Sequence, residues 1–292
     1  MKNFRSRILL LIIGLIVLVQ AATVTAVLLA TLRDADSHAR DELHSTGGVV
    51  LQALNSRASE LAGAVQLLAS DFGFREAVAS GDRATILSAL DNHGARIKAK
   101  LTLLLSLDGK VIASTSPGTP GRDLDLFGEL VRNASEGGGG RSYATVDGRG
   151  YQLVVAAVPA PTTIAWVAMG FELDAALASD LKRRFGLDIA FATTGPHVNA
   201  VSTIDGAQRH ELDRELGRVL ARRSQVVAIH AGAEDYLALG FPLATRAGGP
   251  SLVLSRSTYD VQAAYRQVRT PLVVISASAM LLPGLARAQE ER

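Results

Sequence analysis

The spacing of hydrophobic positions changes repeatedly along this chain, and each change marks a new element. Residues Ile8 to Leu32 carry no charge, with Lys2, Arg5 and Arg7 before them and Arg33, Asp34 and Asp36 after. A helix rises about 1.5 Å per residue and a bilayer core is about 30 Å thick, so this run predicts a transmembrane helix. The basic residues ahead of it place 1–7 in the cytoplasm and the bulk of the chain outside it. A secretory signal has a shorter apolar core. Val24-Thr25-Ala26 is a passable cleavage site, but the length favours an uncleaved anchor.

From Arg33 to about Phe72 the pattern is helical, weakened by Gly47-Gly48. Leu51, Leu54, Ala58, Leu61, Val65, Leu68 and Phe72 recur at alternating spacings of 3 and 4. A seven-residue repeat keeps one seam towards a partner, so the stripe suits either a parallel homodimer or packing along the chain's own body. Phe74 to Lys100 predicts two short helices. Ser80-Gly81 ends the first and Asp82 caps the second, which sets Ile86, Leu90, His93 and Ile97 on one face.

The period then drops to that of strands. Asp108-Gly109 between two apolar runs signals a hairpin, whose favoured turn needs positive φ at both central residues. A helix around Leu126–Ala134 follows, then Gly137 to Gly140. A phosphate loop would need a strand before it and a Lys-Ser/Thr with a helix after it, so these glycines are read as a flexible lead-in to a strand. Strands are expected at Arg141–Asp147, Gly150–Val158 and Thr163–Phe171. Leu173, Leu177, Leu181 and Phe185 then share a helix face. A strand at Leu187–Thr194, a helix at Ala207–Arg222 and strands at Gln225–Ala231, Tyr236–Leu243 and Ser251–Ser257 complete a loose internal repeat. Each half sets helices on an antiparallel sheet of about five strands, or four in the second half: an α+β architecture. A final helix from Tyr259 leads to a second apolar run, Thr270–Ala286, read as a short or truncated second span because Pro283 disturbs its last turn.

Composition narrows the function classes. With 292 residues and 48% apolar content the chain buries a real core. Zero cysteines exclude disulfides, cysteine-based zinc sites and thiol catalysis, and a net charge of +2 gives no field suited to nucleic acid. No hydrolase, metalloprotease, dinucleotide or EF-hand motif occurs. The histidines at 38, 44, 93, 197, 210 and 230 lack ligand spacing. No catalytic residue, metal or cofactor is therefore assigned, and an enzyme is not expected.

A basic start, a span, a long helix, tandem sheet units and a returning helix resemble the extracytoplasmic double Cache sensor region of bacterial transmembrane receptors. DFGFREAVASGDRATILSALDNHGARIKAKLTLLLSLDGKVIAST (Asp71–Thr115) and IAWVAMGFELD (Ile164–Asp174) look most like the sensor half of membrane proteins carrying GGDEF or EAL cyclic-di-GMP domains. The resemblance covers about residues 1–275. It implies a transmembrane helix at 8–32, a long periplasmic helix at 33–72, a membrane-distal PAS-like unit at 73–171 and a membrane-proximal one at 172–257. A return helix at 258–269, a second span at 270–286 and a tail at 287–292 follow. In the family the second span runs on into a HAMP linker and an output domain; here the expectation is a sensor without its own output, either part of a truncated or split receptor or working through a separate cytoplasmic output protein. The alternative is a non-sensing structural or dimerisation module that partners another membrane protein.

A Cache unit implies a small-molecule cavity lined by later strands and a covering loop and helix. The candidates in the first unit are Arg141, Tyr143, Tyr151 and Trp166 on the sheet, with Arg96 and Lys98 at the preceding helix end. Such cations suit a carboxylate or another small anion. The alternative is that Trp166 is core packing and Arg141 merely solvated. The spaced Tyr, Arg, Trp and Asp set of the amino-acid-binding branch is not recognisable, so amino acids are not favoured.

Overall fold

The computed structural model describes residues 2–116, 124–137, 140–194, 198–204, 206–222, 224–231, 234–246 and 248–259. Within the first helix, side chains before residue 37 are described only in part. That helix, α1, runs unbroken from Lys2 to Ala69. Gly47-Gly48 does not interrupt it. Gly47 lies under the Phe241 ring, where a Cβ would overlap ring carbons, whereas Gly48 faces open space.

The first unit begins with α2 (Phe72–Ser80) and α3 (Arg83–Arg96). Asp71 Oδ1 accepts from the Phe74 amide at 3.1 Å, and Asp82 Oδ2 from the Thr85 amide at 2.8 Å. Each cap satisfies an amide that the first helical turn leaves unpaired. Gly81, at φ 68°, closes α2 in the left-handed conformation that favours glycine. Strands β1 (Leu101–Leu105) and β2 (Val111–Ser114), helix α4 (Leu124–Ser135) and strands β3 (Arg141–Val146), β4 (Arg149–Pro159) and β5 (Thr163–Glu172) follow. They form an antiparallel sheet in the order β2-β1-β5-β4-β3.

The second unit repeats this plan. Helix α5 (Ala175–Phe185) leads into β6 (Asp188–Thr194) and β7 (Val198–Ser202). After α6 (Gly206–Ala221) come β8 (Val227–Ala231), β9 (Glu234–Pro242) and β10 (Ser251–Ser257). The order β7-β6-β10-β9-β8 is that of the first sheet with each strand replaced by its successor in the repeat. The second sheet therefore has five strands, not four. The added strand β7 is a short edge strand, VNAVS, with only its last residue buried, so its sequence carries little alternation.

The two hairpin turns differ in mechanism. At Asp147-Gly148 both residues have positive φ, 49° and 74°, and Val146 pairs with Arg149, as a two-residue primed turn demands. At Asp108-Gly109 only Gly109 is left-handed, at 82°. There Ser106 closes a longer turn: its amide donates to the Lys110 carbonyl at 2.8 Å, and its hydroxyl accepts from the Lys110 amide at 3.0 Å.

Each sheet is covered on both faces. On one face of the first sheet Leu104, Val154, Val167 and Met169 pack on Val65 and Ala69 of α1, Phe74 of α2 and Leu90 of α3. On the other, Leu103, Leu105, Leu153 and Trp166 pack beneath Phe127, Leu130 and Val131 of α4. In the second sheet Ile189, Phe191, Leu239 and Leu254 meet Leu43, Val50 and Leu54 of α1, with Leu181 of α5. Its far face takes Leu212, Leu216 and Val219 of α6. Each such aliphatic side chain contributes about 1.5–3 kcal/mol on full burial.

The apolar stripe of α1 is consumed by these cores. Leu54 and Val65 pack in the cores of the chain's own sheets and Ala58 between them is buried, while Phe72 at the end of the stripe is 71% exposed. The stripe thus packs against the chain's own sheets, the second of the two uses its spacing allows. Among the described residues no helix is long and apolar enough to cross a membrane. Much of 8–32, and all of the return helix beyond Tyr259 and the second run at 270–286, lie outside the described residues or side chains.

Candidate functional site

The α4 face of the first sheet, where the family resemblance places a cavity, is lined among the described residues by apolar side chains, including Phe127, Leu130 and Trp166. Among the described residues the buried polar side chains are Thr102, Gln152, Thr193, Ser202, Ser255 and Ser257, and none belongs to this cluster. Trp166 is 9% exposed and sits opposite Leu105 and Ala157, so it is core. Tyr151 borders the same cluster, half-buried; burial pushes its phenol up, and the nearby Glu172 carboxylate adds to that.

Arg141 and Tyr143 stand on the opposite face. Across the β3–β4 ladder Arg141 pairs with Val154 and Tyr143 with Gln152, and directly opposed residues share a face. Gln152 is 1% exposed and fully engaged. Its Nε2 donates to the Leu54 carbonyl of α1 and to Tyr143 Oη, each at 3.0 Å, while its Oε1 accepts from Arg57 Nη1 at 2.6 Å. Burial raises the Tyr143 phenol and lowers the Arg57 guanidinium from their ordinary values, with Asp174 partly opposing the latter. Arg141 Nη1 donates to Ser59 Oγ of α1.

This polar knot lies where the two sheets meet along α1, and clefts open on both sides of it. Two adjoining clefts of about 480 and 630 Å³ share Arg141, Ser142, Tyr143, Ala244 and Thr245. They separate β3 from the loop joining β9 to β10. Thr145 Oγ1 donates to Gly248 O and Thr193 Oγ1 to Gly148 O, both at 2.9 Å, so the β3–β4 turn is docked on the second unit. Beyond α1 a cavity of about 780 Å³ is bounded by Arg57, Lys98, Lys100, Asp91, Asp174 and Phe171, among others. Lys98 adopts a left-handed conformation, φ 61°, which turns the chain from α3 into β1.

The six predicted residues therefore do not converge. Arg141 and Tyr143 line one cleft, Lys98 lines the cavity across α1, Arg96 is exposed and lines none of the three, and Tyr151 and Trp166 face the other way. Gln152 and Arg57 are absent from the predicted set. The available signals are an amide inside the apolar run YQLVVAAV and an arginine one position before Ala58 of the stripe. Among the described residues no group of three or more histidines and carboxylates is arranged to hold a metal.

Comparison with known proteins identifies the architecture. The dCache_3 family model, described as the double sensory domain of two-component sensor kinases, matches residues 37–260. Among solved structures, the periplasmic domain of Vibrio cholerae LuxQ is similar at 13% identity and a TM-score of 0.51, covering 74% of this chain and 99% of that one. A second structure of that domain gives 13%, 0.50, 74% and 98%. The ligand-binding domain of the Pseudomonas fluorescens chemoreceptor CtaA, in complex with L-isoleucine, gives 11% and 0.45, covering 80% and 97%. No curated protein matches the sequence.

Proposed function

We propose, since the chain belongs to the dCache_3 family of double sensory domains, that it is the membrane-anchored input of a bacterial receptor that binds a small solute outside the cytoplasm. The family is sensory and not catalytic. The observation that carries the reading is α1 itself. One helix is shared by the cores of both sheets and continues without a break into the apolar stretch at its start.

Membrane anchoring rests on chemistry along that stretch. Leu11, Leu15, Leu18 and Val19 are 54–74% exposed, so their apolar surface calls for a non-aqueous surrounding. Thr23 and Thr25 turn their hydroxyls back to the carbonyls of Val19 and Ala21 at 2.9 and 2.8 Å, which satisfies a polar group without water. Residues 1–7 then lie in the cytoplasm, the sheet units in the periplasm, and the first unit is the membrane-distal one. The solute is held in the clefts beside α1, with Arg141 and Tyr143 on one side and Lys98 on the other. The signal is a displacement of α1 between two packings. A dimer, in this reading, uses the face of α1 turned away from the sheets, where Val49, Glu60, Gly63 and Leu67 are exposed.

A metabolite screen by thermal shift on the detergent-solubilised chain tests the proposal. A ligand at 100 times its Kd stabilises the native state by about 2.7 kcal/mol, several degrees in melting temperature. A broad library of small solutes that moves nothing would remove the sensing function.

A further inference from the structure

We infer that the cavity bounded by Arg57, Lys98 and Lys100 binds a small organic carboxylate, and that Gln152 reports its occupancy to α1. This rests on the sensory reading above and goes beyond it in naming the site, the ligand class and the relay.

The charges along the cavity wall are paired unevenly. Glu172 is held by Arg149 at 3.2 Å. Asp180 is held by Arg183 and Arg184 at 3.0 and 2.9 Å. Asp174 Oδ1 accepts from the Leu177 amide at 2.9 Å and so caps α5. Glu172 and Asp180 are thereby paired with cations, whereas Asp174 is hydrogen-bonded but keeps its charge, and Asp91 has no ion pair among the described residues. Among the described residues Arg57, Lys98 and Lys100 have no ion-pair partner, and the one hydrogen bond of the Arg57 side chain goes to the neutral amide of Gln152. Asp174 and Glu60 offset part of the desolvation of Arg57 without touching it, so this half-buried guanidinium has no anion in hydrogen-bond contact. A carboxylate supplies what is missing. Guanidinium offers it a planar, two-toothed donor, and the two lysines add positive charge at the mouth.

The remaining wall sets the size of the ligand body. Phe171, Leu177, Ala99 and Ala176 give an apolar side, and about 780 Å³ exceeds what an acid of a few carbons fills, so ordered water shares the space. The consequence for α1 follows from the bonds already described. Gln152 sits in a fully buried position and ties the Leu54 carbonyl, Tyr143 and Arg57 together. When Arg57 turns its guanidinium to a carboxylate, Gln152 Oε1 loses its charged donor, and the amide that clamps α1 to β4 must re-pair. The turn of α1 from Leu54 to Ala58 is where that change is felt.

The test uses the full chain in detergent micelles, titrated calorimetrically with acetate, pyruvate, succinate and citrate, and with choline as a cationic control. At least one carboxylate is expected to bind and choline is not. Arg57→Gln should weaken binding about tenfold or more, the scale of one charge-assisted pair. Ala176→Trp, an exposed position that fills the cavity without touching the polar knot, should do the same. The double variant Lys98→Gln/Lys100→Gln, also exposed, should weaken it with no effect on folding, which covers the case of an Arg57 variant that does not fold. Lys110→Gln controls for loss of charge elsewhere. Wild-type affinity in Ala176→Trp and the lysine double variant overturns the site; no carboxylate binding at all overturns the ligand class. Either failure is distinct from failure of the sensing function, which only a silent library screen would remove. Hydrogen exchange over residues 54–62 should change on binding, and unchanged exchange in a carboxylate-saturated sample overturns the relay.

Discussion

At the scale of single residues, Gln152 shows how a buried polar group specifies a contact that apolar packing alone would leave loose. Replacing it with leucine keeps the volume and removes three hydrogen bonds, leaving the Tyr143 hydroxyl and the Arg57 guanidinium without that partner, while the Leu54 carbonyl keeps its bond within α1. Each orphaned group costs about 1–3 kcal/mol, so Gln152→Leu should lower stability by at least about 2 kcal/mol in urea unfolding. A change below about 0.5 kcal/mol would show that the knot is replaceable. His93 gives a second residue-scale prediction. Its ring meets Phe74 edge to face at 5.1 Å, and Nε2 lies 4.0 Å from Asp71 Oδ1. Burial holds its pKa below the ordinary value, Asp71 opposes this, and Arg96 adds to it. A histidine whose folded pKa lies below the unfolded one, about 6.5, gives stability that is complete above that pH and lost as pH falls through the folded value. The melting temperature of wild type should therefore decline between about pH 6.5 and 5, and His93→Gln should decline less over the same interval. Identical slopes would assign the acid sensitivity elsewhere. The spacing Ile86, Leu90, His93, Ile97 puts His93 on the buried face of its helix, and there it lies. The partnership of Arg57 with Gln152, 95 positions apart, leaves no trace in local spacing.

Among elements, legibility tracks how strongly a pattern is imposed by burial. Helix α3 and its Asp82 cap, the paired strands and the Asp147-Gly148 turn are readable because each satisfies a local rule. Strand β7 escapes because a five-residue edge strand buries too little to force alternation. The glycine pair in α1 looks like a weak point in the sequence and is instead a contact point. Tertiary packing decides it: Gly47 allows the helix to approach the Phe241 ring of β9, and Gly48 has no such duty. The two neighbours should therefore respond in opposite directions. Gly47→Ala should destabilise by about 1–3 kcal/mol through overpacking. Gly48→Ala should stabilise by up to about 1 kcal/mol through helix propensity. Paired denaturation curves check this, and two shifts of the same sign would refute the placement of α1 on the second sheet.

For the whole molecule, the question is whether the two sheets behave as one body. They share α1, whose Leu43, Val50 and Leu54 belong to the second core and whose Val65 and Ala69 belong to the first. Leu173, immediately after β5, packs in the second core together with Tyr143 of β3, and the β3–β4 turn is tied to β6 and to the β9–β10 loop through Thr193 and Thr145. Gly150 fits against Pro250 and Leu173 so closely that a Cβ there would come within 3.0 Å of Pro250. A repeat of two units joined only by a tether would melt in two steps. Units that share a helix and interlock through a turn lose both cores when either goes, because the surface freed on one side belongs to the other. Calorimetry of the chain should thus give one transition with matching calorimetric and van't Hoff enthalpies. Leu239→Ala in the second core, costing about 2–5 kcal/mol, should also raise hydrogen exchange in β4 and β5 of the first. If β4 and β5 keep wild-type protection in that variant, the units are energetically separate. A solute bound at their seam would then have no rigid path to α1, because a sensor of this form transmits only what its shared helix is made to carry.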